Sequence, residues 1–595
     1  MLFYDCGGNH GAFYRSQSHP FQGVRGDDPP RPPEACLSMV TDTGPDLTTG
    51  AGTIGYRDGS EAYLLRFFEE NAVGEYELFP KDAPWAIHYH LTPRRKTLLS
   101  WIDFGPGGRI LELGAGCGAL TAHLATLPHA VTAVEGSPER AAIIRARCRS
   151  ARNLEIVAAN AVGLPYAHSF DAATLIGVLE YAAAFVDGPR PHERLLAEAR
   201  RYLKDDGCLI LAIENRMGHK YLAGLPEDHT GRPYDGVNGY PGPGAARTFD
   251  RPTLAALLAR AGFPATRWYY PSPDYKTPDA VVAERALATD GFAVLPLLEL
   301  PTADYGGRFR PAFSERQFLR SALAGGAAGH FMNSFLVLAA ARDDAPLLAA
   351  NEDMLAVAAN VDSCPPLFQT MTRFTARGGG VAVTRRNLHG LPPAVFASGR
   401  QHVKAEESYH LGYVSFLETV LTAVEEGDMG QAAKALVRWM EHAAARARPA
   451  TPESVRGFAA FCRDRFGRAV YPDSGNDRWL PGSLLDAHPG NVLVHPATGD
   501  IRYIDLEWQL ACDIPLQLLL DRGVNLVGQK LALPAPAPSL PDAGVLPPAL
   551  DRVLARHPLC RRADPQSLAV VTQWLFAAVT HGSLDYRLPP AAGRR

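Results

Sequence analysis

The stretch ILELGAGCGALT at residues 110–121 decides the fold. Its first half is β-prone, its end suits a helix, and glycines stand between them at positions 114, 116 and 118. Small residues at a strand-to-helix turn let the backbone approach a ligand, and the helix N-terminus offers free N–H groups. The spacing G-x-G-x-G differs from the G-x-G-x-x-G of nicotinamide dinucleotide folds. It predicts a cofactor loop after the first strand of an α/β sheet.

Short β-prone runs alternate with helical runs between residues 108 and 214. This alternation predicts a parallel sheet wrapped by helices. A helix at RPTLAALLARAGF and a strand at ATRWYYP continue it, and NSFLVLAAA near residues 333–341 supplies a last strand. The five earlier predicted strands are RILELG, AVTAVEG, LEIVAAN, FDAATLIGVLE and CLILAIEN.

Polar side chains follow successive strands of this predicted sheet. Glu135 ends the second strand, where a carboxylate can accept two hydrogen bonds from a ribose diol. Asn160 follows the third strand, where an amide can face an adenine edge, and GVLEY follows at the fourth. Ligands of open α/β sheets bind at the carboxyl edge of the strands, so these groups predict one nucleoside-binding edge.

The same region resembles the class I S-adenosylmethionine (SAM)-dependent methyltransferases, and within them a bacterial branch associated with surface-polysaccharide synthesis. The likeness covers most of residues 85–240 and implies a seven-stranded Rossmann-like sheet with an antiparallel last strand. It rests on YHLTPRRKTLL, ILELGAGCGALT, AVEGSPERAAIIRARC, LIGVLEYA and LAIENRMGHKYLAGLPEDHTGRPYDG.

The resemblance also implies a set of cofactor-binding residues. Glu135 would hold the ribose and Asn160 the adenine, although many relatives carry an acidic residue at the position of Asn160. The residues that would line the methionine and ribose part are Glu112, Gly114, Ala115, Gly116 and Gly118.

Two long connections, near residues 215–247 and 271–332, are expected at the same edge of the sheet and predict a lid for a large acceptor. Methyl transfer needs positioning, plus a base where the acceptor is a hydroxyl. The candidate bases, in falling order of preference, are His229, Asp228, His219 and Glu180. If the acceptor is a phosphate or carboxylate, the candidate anion-binding residues are Arg216, Lys220 and Arg232.

A second motif lies far downstream, in SLLDAHPGNVLVHPATGDIRYIDLEW at residues 483–508. Asp486 and Asn491 have the Asp-x-x-x-x-Asn spacing of a phosphotransfer loop, and Asp505 stands where a second magnesium-binding carboxylate is expected. In an active site of this kind, Asn491 and Asp505 would hold Mg²⁺. The stretch resembles aminoglycoside phosphotransferases and related small-molecule kinases, with a likeness spanning about residues 365–530.

The kinase-like region departs from that family in three ways. No Gly-x-Gly-x-x-Gly loop precedes the predicted hairpin FQTMTRFTARGGGVAVTRRNL, and no lysine occurs between residues 346 and 403. Arg385 or Arg386 falls near the lysine position, but a guanidinium is not equivalent to an ammonium. Leu484 and Leu485 replace the usual His-Gly before the aspartate. These departures favour a nucleotide-binding or inactive scaffold over an active kinase.

Composition predicts an ordinary globular protein. With 46% hydrophobic residues, 21% charged residues and a formal net charge of -4, the chain has no bias toward nucleic acid or anionic membranes. Its nine cysteines form no Cys-x-x-Cys pair, and no apolar run approaches a membrane span. We therefore expect reduced thiols, a cytoplasmic location, no nucleic-acid partner and no membrane span.

The sequence predicts four parts: a disordered segment at 1–50, a helical cap at 51–100, a methyltransferase domain at 101–345, and an α+β kinase-like domain at 346–595. The resemblance implies a SAM-dependent methyltransferase acting on a sugar or phosphate group in bacterial surface-glycan synthesis. Its acceptor would be a glycan, a nucleotide-sugar or a lipid-linked sugar, with glycosyltransferases as partners. The alternatives are a bifunctional methyltransferase/kinase using Mg-ATP that caps a polysaccharide chain, and a methyltransferase with a non-catalytic nucleotide-binding or docking module.

Overall fold

The computed structural model describes residues 46–50, 53–71, 85–242, 244, 246–300, 302, 310–361, 365–471, 478–531, 546–559, 565–580 and 584–588. These residues fall into two compact units. The N-terminal unit contains the described residues up to 289 together with 294–358, and the C-terminal unit contains 290–293 and the described residues from 359 onward.

The N-terminal unit is built on a large mixed sheet that is parallel at its core. The five strands between residues 109 and 214 are parallel to one another, and the strand Ser334–Ala340 is antiparallel to both strands beside it. This is the predicted arrangement with an antiparallel last strand. The spatial order is Leu154–Ala158, Ala130–Glu135, Arg109–Leu113, Phe170–Ile176, Leu203–Glu214, Ser334–Ala340 and Ala265–Ser272.

The sheet has more strands than the predicted seven. Ala280–Ala283 pairs with Ala265–Ser272, and Met354–Asn360 pairs with Ala280–Ala283, both antiparallel. The predicted insertion begins at residue 271. Its segment Ala280–Ala283 nevertheless continues the sheet, because AVVA is a short buried run with two β-branched residues. Since Met354–Asn360 also joins the sheet, the division between the units falls after Ala358, beyond the predicted boundary at residue 345.

Helices cover the N-terminal unit at short intervals. Several begin at a side-chain cap; Ser137 accepts a hydrogen bond from the Arg140 N–H, and proline follows it at the first helical position. The α-helices are Glu61–Glu70, Trp85–Leu91, Ala119–Leu124, Pro138–Arg147, Ala182–Phe185, Pro191–Tyr202, His219–Leu222, Arg251–Arg260, Glu284–Leu287, Leu295–Leu298, Glu315–Ala324, Ala328–Phe331 and Pro346–Ala350. Short 3-10 helices lie at Pro93–Leu98 and Leu179–Tyr181.

The start of the described chain differs from the prediction. Asp46–Gly50 and Thr53–Arg57 form an antiparallel hairpin, so strand structure falls at the end of the segment predicted to be disordered and inside the predicted helical cap. Thr, Ile and Tyr favour strands even in so short a run. Residues 1–45 lie outside the described residues. The helices Glu61–Glu70 and Trp85–Leu91 lie within the segment predicted to be the helical cap.

The C-terminal unit combines a β hairpin, small antiparallel sheets and helices. The predicted hairpin is confirmed: Thr370–Arg377 pairs with Gly380–Asn387, and Gly378 and Gly379 take the positive φ angles that its turn requires. The other strands are Val395–Phe396, Gly399–Gln401, Glu406–Ser408, Val414–Ser415, Arg448–Pro449, Arg478–Leu480, Val492–Val494, Ile501–Tyr503, Trp508–Leu510 and Ile514–Pro515. The α-helices are Phe416–Glu425, Met429–Arg446, Pro452–Phe466, Leu516–Leu531, Pro548–Leu554 and Pro565–Thr580, and 3-10 helices lie at Pro366–Phe368 and Gly482–Leu484.

Among the described helices, none combines the length and hydrophobicity that a membrane crossing requires.

A substitution at Gly523 tests how tightly the core of the C-terminal unit is packed. A Cβ at this helical position would overlap the ring of the buried Trp439 and lie 2.8 Å from Pro489 Cδ. We expect Gly523→Ala to lower the free energy of unfolding by about 1–3 kcal/mol, because the indole cannot move without leaving its packed position. Chemical denaturation of the full chain measures the change.

Gly457→Ala is the matched control, because Gly457 also lies inside a helix but its added Cβ would be 3.7 Å from the nearest side-chain atom, Cys512 Cβ. It should leave stability unchanged or raise it by up to about 1 kcal/mol. Equal effects of the two substitutions would contradict the packing explanation.

Candidate functional site

The glycine loop, residues 114–118, follows the first strand of the sheet and leads into the helix Ala119–Leu124. Gly114, Gly116 and Gly118 have φ angles of +75°, +58° and +79°, a region that other residues adopt only at a cost. A Cβ on Gly114 would overlap the side chain of Val178, which follows the fourth strand. Glycine is therefore required at position 114 for both conformation and space.

Glu135 holds this loop from the end of the second strand. Its Oε2 accepts a hydrogen bond from the Gly116 N–H at 2.7 Å, and its Oε1 accepts one from the Ser137 N–H at 2.9 Å. Burial raises the pKa of the carboxyl, against the attraction of Arg140 and of the backbone donors. The predicted ribose-binding carboxylate thus lies directly at the glycine loop.

Glu112 is turned toward the helix that follows the loop. It is 4% exposed, and its Oε2 accepts a hydrogen bond from the Thr121 hydroxyl at 2.6 Å. Burial raises its pKa to about 8, although Thr121 and Arg95 act in the opposite direction. Ala115 is buried beside it and donates its N–H to Val134 O.

Asn160 does not join the same hydrogen-bonded group. Its Nδ2 donates to Phe185 O at 2.9 Å, and its Oδ1 accepts from the Val162 N–H at 3.2 Å. The amide therefore shapes the connection after the third strand. Of the predicted cofactor-binding residues, Glu112, Gly114, Ala115, Gly116, Gly118 and Glu135 lie around the glycine loop.

Sequence reasoning missed an ion-pair network that joins the cap to this loop. Arg140 pairs with Asp58 at 2.8 Å and Glu61 at 2.9 Å, and His90 Nε2 lies 2.8 Å from Asp58 Oδ2. Burial alone would raise the pKa of Asp58, but His90 and Arg140 outweigh it and hold that pKa below its usual range. Arg147 donates to His90 O at 2.8 Å and to the O of the loop residue Cys117 at 3.4 Å.

A second group, the buried ionic cluster, lies where the fourth and fifth strands end. Glu180 lies in the turn Leu179–Tyr181, Glu214 is the last residue of the fifth strand, and His229 comes from the connection at 215–247. Both glutamates are 0% exposed. His229 Nε2 is 3.4 Å from Glu214 Oε2, and its Nδ1 is 2.8 Å from the Tyr181 hydroxyl.

Two lysines complete the cluster. Lys276 Nζ lies 2.7 Å from Glu214 Oε1 and 2.6 Å from Asp228 Oδ2. Lys220 Nζ, 1% exposed at its side chain, lies 3.0 Å from the same Asp228 oxygen and 3.8 Å from Asp274. Asp228 is thus held between two ammonium groups, which lower its pKa against the effect of burial.

Protonation differs among the three residues at the centre of the cluster. Burial and the neighbouring Glu214 raise the pKa of Glu180 to about 8. Burial alone would raise the pKa of Glu214, but Lys276 and His229 hold it well below its usual value. Burial alone would lower the pKa of His229, but Glu214 outweighs burial and raises it to about 9. Glu214 and His229 therefore form a pair of opposite charge at neutral pH, whereas the neighbouring Glu180 holds its proton.

Sequence reasoning named Glu180, Asp228 and His229 but missed Glu214 and Lys276. The signal for Glu214 was present, because it closes the predicted strand CLILAIEN as Glu135 closes the second strand. His219, another candidate base, lies elsewhere: its Nδ1 is 3.0 Å from Glu315.

The candidate anion-binding residues are all engaged with carboxylates. Arg216 Nε donates to Asp250 at 2.8 Å, Arg232 pairs with Asp235 at 2.8 Å, and Lys220 pairs with Asp228 as described. A bound phosphate would have to displace these partners.

The kinase-like residues of the C-terminal unit also lie close together. Asp486 is 1% exposed; it accepts a hydrogen bond from the Trp508 N–H and pairs with Arg522 at 3.2 Å. Asn491 Nδ2 donates to Asp505 O at 3.0 Å. The residue near the kinase lysine position is Arg385, and its guanidinium lies 3.5 Å from Asp505 Oδ1 and also pairs with Glu407.

Residues 111–211 match the family model described as "Methyltransferase domain". The match covers the glycine loop, the second to fourth strands and the fifth strand as far as residue 211. The chain contains a class I methyltransferase domain.

Solved structures of methyltransferases match the chain at low sequence identity and low TM-score. A SAM-dependent methyltransferase from Thermotoga maritima is 20% identical, with 42% of this chain and 88% of that chain covered and a TM-score of 0.25. The 1,6-didemethyltoxoflavin-N1-methyltransferase of Burkholderia thailandensis, solved with S-adenosylhomocysteine, is 18% identical, with 43% and 81% covered and a TM-score of 0.23. No curated protein matches the chain.

The buried Glu112 of the methyltransferase domain predicts a particular dependence of stability on pH. Its pKa of about 8 in the folded protein exceeds the ordinary 4.5, so the folded chain holds the proton more tightly than the unfolded chain. Its contribution to stability is complete below the unfolded pKa and is lost as pH rises through the folded pKa, by at most about 1.4 kcal/mol per pH unit.

Glu112→Gln removes this titration. The melting temperature of the variant minus that of the wild type should therefore increase from pH 5 to pH 8 and level off above it. Glu139→Gln, at an exposed helical position, is the control, and its difference should stay flat. A constant difference for Glu112→Gln would show that this carboxyl ionises in the folded protein as readily as in the unfolded chain.

Proposed function

We propose that the methyltransferase domain binds SAM at the glycine loop and transfers its methyl group to an acceptor beside the buried ionic cluster. The observation that carries this proposal is the carboxylate of Glu135, which ends the second strand and bonds to the Gly116 N–H of the loop. A carboxylate at that place can accept hydrogen bonds from a ribose diol, and the loop's glycines leave room for the rest of the cofactor.

The acceptor site is proposed at the buried ionic cluster because Val178 connects the glycine loop with the turn that carries Glu180. Its side chain packs against Gly114 of the loop, and Glu180 follows it by two residues. In the transfer, the methyl carbon–sulfur bond breaks as the bond to the acceptor forms, and a hydroxyl acceptor must lose its proton. Glu180 and His229 lie within 4.8 Å of each other in the cluster, whereas Asp228 is held by two lysines and His219 pairs with Glu315.

A sugar hydroxyl is the acceptor class we propose, in bacterial surface-glycan synthesis. The support for the glycan is the sequence resemblance over residues 85–240. The support for a hydroxyl over a phosphate is that Arg216, Lys220 and Arg232 are each paired with a carboxylate. A nucleotide-sugar or lipid-linked sugar would then present the hydroxyl, with glycosyltransferases as partners.

For the C-terminal unit we propose a non-catalytic module that docks a partner or binds a nucleotide. Asp486 would have to accept a proton from a substrate hydroxyl in a kinase, yet it is held by Arg522 and by the Trp508 N–H. The guanidinium of Arg385 lies beside Asp505, where a kinase would bind a magnesium ion. The bifunctional methyltransferase/kinase with Mg-ATP is the alternative that the experiments below separate from this proposal.

Glu135→Ala should abolish SAM binding while the chain remains folded, because both the ribose partner and one support of the glycine loop are lost. A thermal-unfolding titration with SAM and S-adenosylhomocysteine measures this, since a ligand that binds only the native state raises the midpoint. Glu139→Ala, at an exposed position in the next helix, should bind like the wild type. Undiminished affinity in Glu135→Ala would refute the assignment of the cofactor site.

Asp486→Asn should leave the rate of methyl transfer within about twofold of the wild type, because the amide keeps an acceptor for the Trp508 N–H. Wild-type chain incubated with Mg-ATP and candidate sugar acceptors should form no phosphorylated product. Phosphotransfer that is present in the wild type and lost in Asp486→Asn would establish the bifunctional alternative.

A further inference from the structure

Three side chains of the buried ionic cluster face one shared space. Ligand atoms of Glu180, Glu214 and His229 all lie within 4.8 Å of one another. The three residues come from separate elements: a turn after the fourth strand, the end of the fifth strand, and the connection beyond it. The glutamates are completely buried, and the His229 side chain is 4% exposed.

Each of the three side chains is held on one side by a different partner. The Tyr275 hydroxyl donates to Glu180 Oε1 at 3.4 Å, Lys276 Nζ lies 2.7 Å from Glu214 Oε1, and the Tyr181 hydroxyl is 2.8 Å from His229 Nδ1. This arrangement is typical of metal-binding side chains: one polar atom binds the metal, and the other is held by a residue outside the coordination sphere.

The remaining atom of each side chain has no hydrogen bond within the described part of the chain. These atoms are Glu180 Oε2, Glu214 Oε2 and His229 Nε2, and all are buried. Buried polar atoms are normally satisfied, yet the 3.4 Å ion pair between Glu214 Oε2 and His229 Nε2 is long and does not include Glu180 Oε2; one shared ligand would satisfy all three atoms. A proton on His229 would serve Glu214 across 3.4 Å, but it would leave Glu180 Oε2 without a partner.

We propose that Glu180, Glu214 and His229 bind one divalent transition-metal ion of the zinc or manganese class. One imidazole nitrogen and two carboxylate oxygens suit such an ion and leave a coordination position for a further ligand. Lys276 stays outside the coordination sphere, where it fixes Glu214 and neutralises Asp228.

The ion would also answer how the acceptor loses its proton, a consequence that rests on the proposed function. A hydroxyl bound in the open position would have a lowered pKa and would release its proton to solvent. Its oxygen would then form the bond to the methyl carbon as the carbon–sulfur bond breaks, and S-adenosylhomocysteine would leave as the neutral thioether. Ion binding itself requires no SAM, so the metal site and the cofactor site are tested by separate titrations of the same preparation.

Calorimetric titration of the full chain with zinc chloride, after treatment with a chelator and without SAM, tests the proposal. We expect one tight site per chain. Glu180→Gln and Glu214→Gln should each weaken binding at least tenfold, because an amide oxygen carries no charge. Tyr181→Phe, which keeps all three ligands, should weaken binding by a smaller factor through loss of the support on His229 Nδ1.

Glu315→Gln is the matched control. Glu315 is also a partly buried carboxylate beside a histidine, His219, but it lies outside the trio and should leave zinc affinity unchanged. Cobalt(II) substituted at the site should show ligand-field bands without the near-ultraviolet band of a cobalt–thiolate bond. No tight site in the wild type, wild-type affinity in both glutamine variants, or a thiolate band would overturn the proposal.

Discussion

The two hydrogen bonds that Glu135 accepts organise the methyltransferase domain. One carboxylate oxygen fixes the Gly116 N–H of the glycine loop, and the other begins the turn into the next helix at Ser137. Arg140 in that helix, whose charge opposes the rise in the pKa of Glu135, also pairs with Asp58 of the cap. The loop, the second strand and the cap are therefore held by one continuous set of charges.

The parallel sheet explains why three of the buried glutamates lie at one edge. Glu135 and Glu214 end strands, Glu180 lies four residues beyond the end of one, and parallel strands bring their carboxyl ends to the same side. Val178 packs against Gly114, so the chain that carries Glu180 is in contact with the glycine loop. Val178 therefore contacts the proposed cofactor site and lies two residues before Glu180 of the buried ionic cluster.

The core of the fold could be predicted because its signals are local. The glycine turn and the strands each follow from a short run of residues, whereas the antiparallel direction of Ser334–Ala340 was implied by the methyltransferase resemblance. The extra strands Ala280–Ala283 and Met354–Asn360 could not be predicted, since short apolar runs become strands only when a sheet edge is available to pair with. Likewise, the sequence pattern alone favours Asp228 as a base, because Lys276, which donates a hydrogen bond to it, lies 48 residues away in the chain.

In both units, a carboxylate that the sequence pattern selects is held by a charged partner in the structure. Sequence pattern selects Asp228 and Asp486 equally well as catalytic groups, yet the first is held by two lysines and the second by Arg522. A carboxylate paired in this way has lost the freedom to take a proton from a substrate. Glu180 differs, because burial beside Glu214 raises its pKa to about 8 and its Oε2 has no hydrogen bond within the described residues. Since burying an unbonded polar atom costs free energy and perturbed carboxyls are common at functional sites, we propose Glu180 rather than Asp228 as the carboxyl that takes part in the chemistry of the domain.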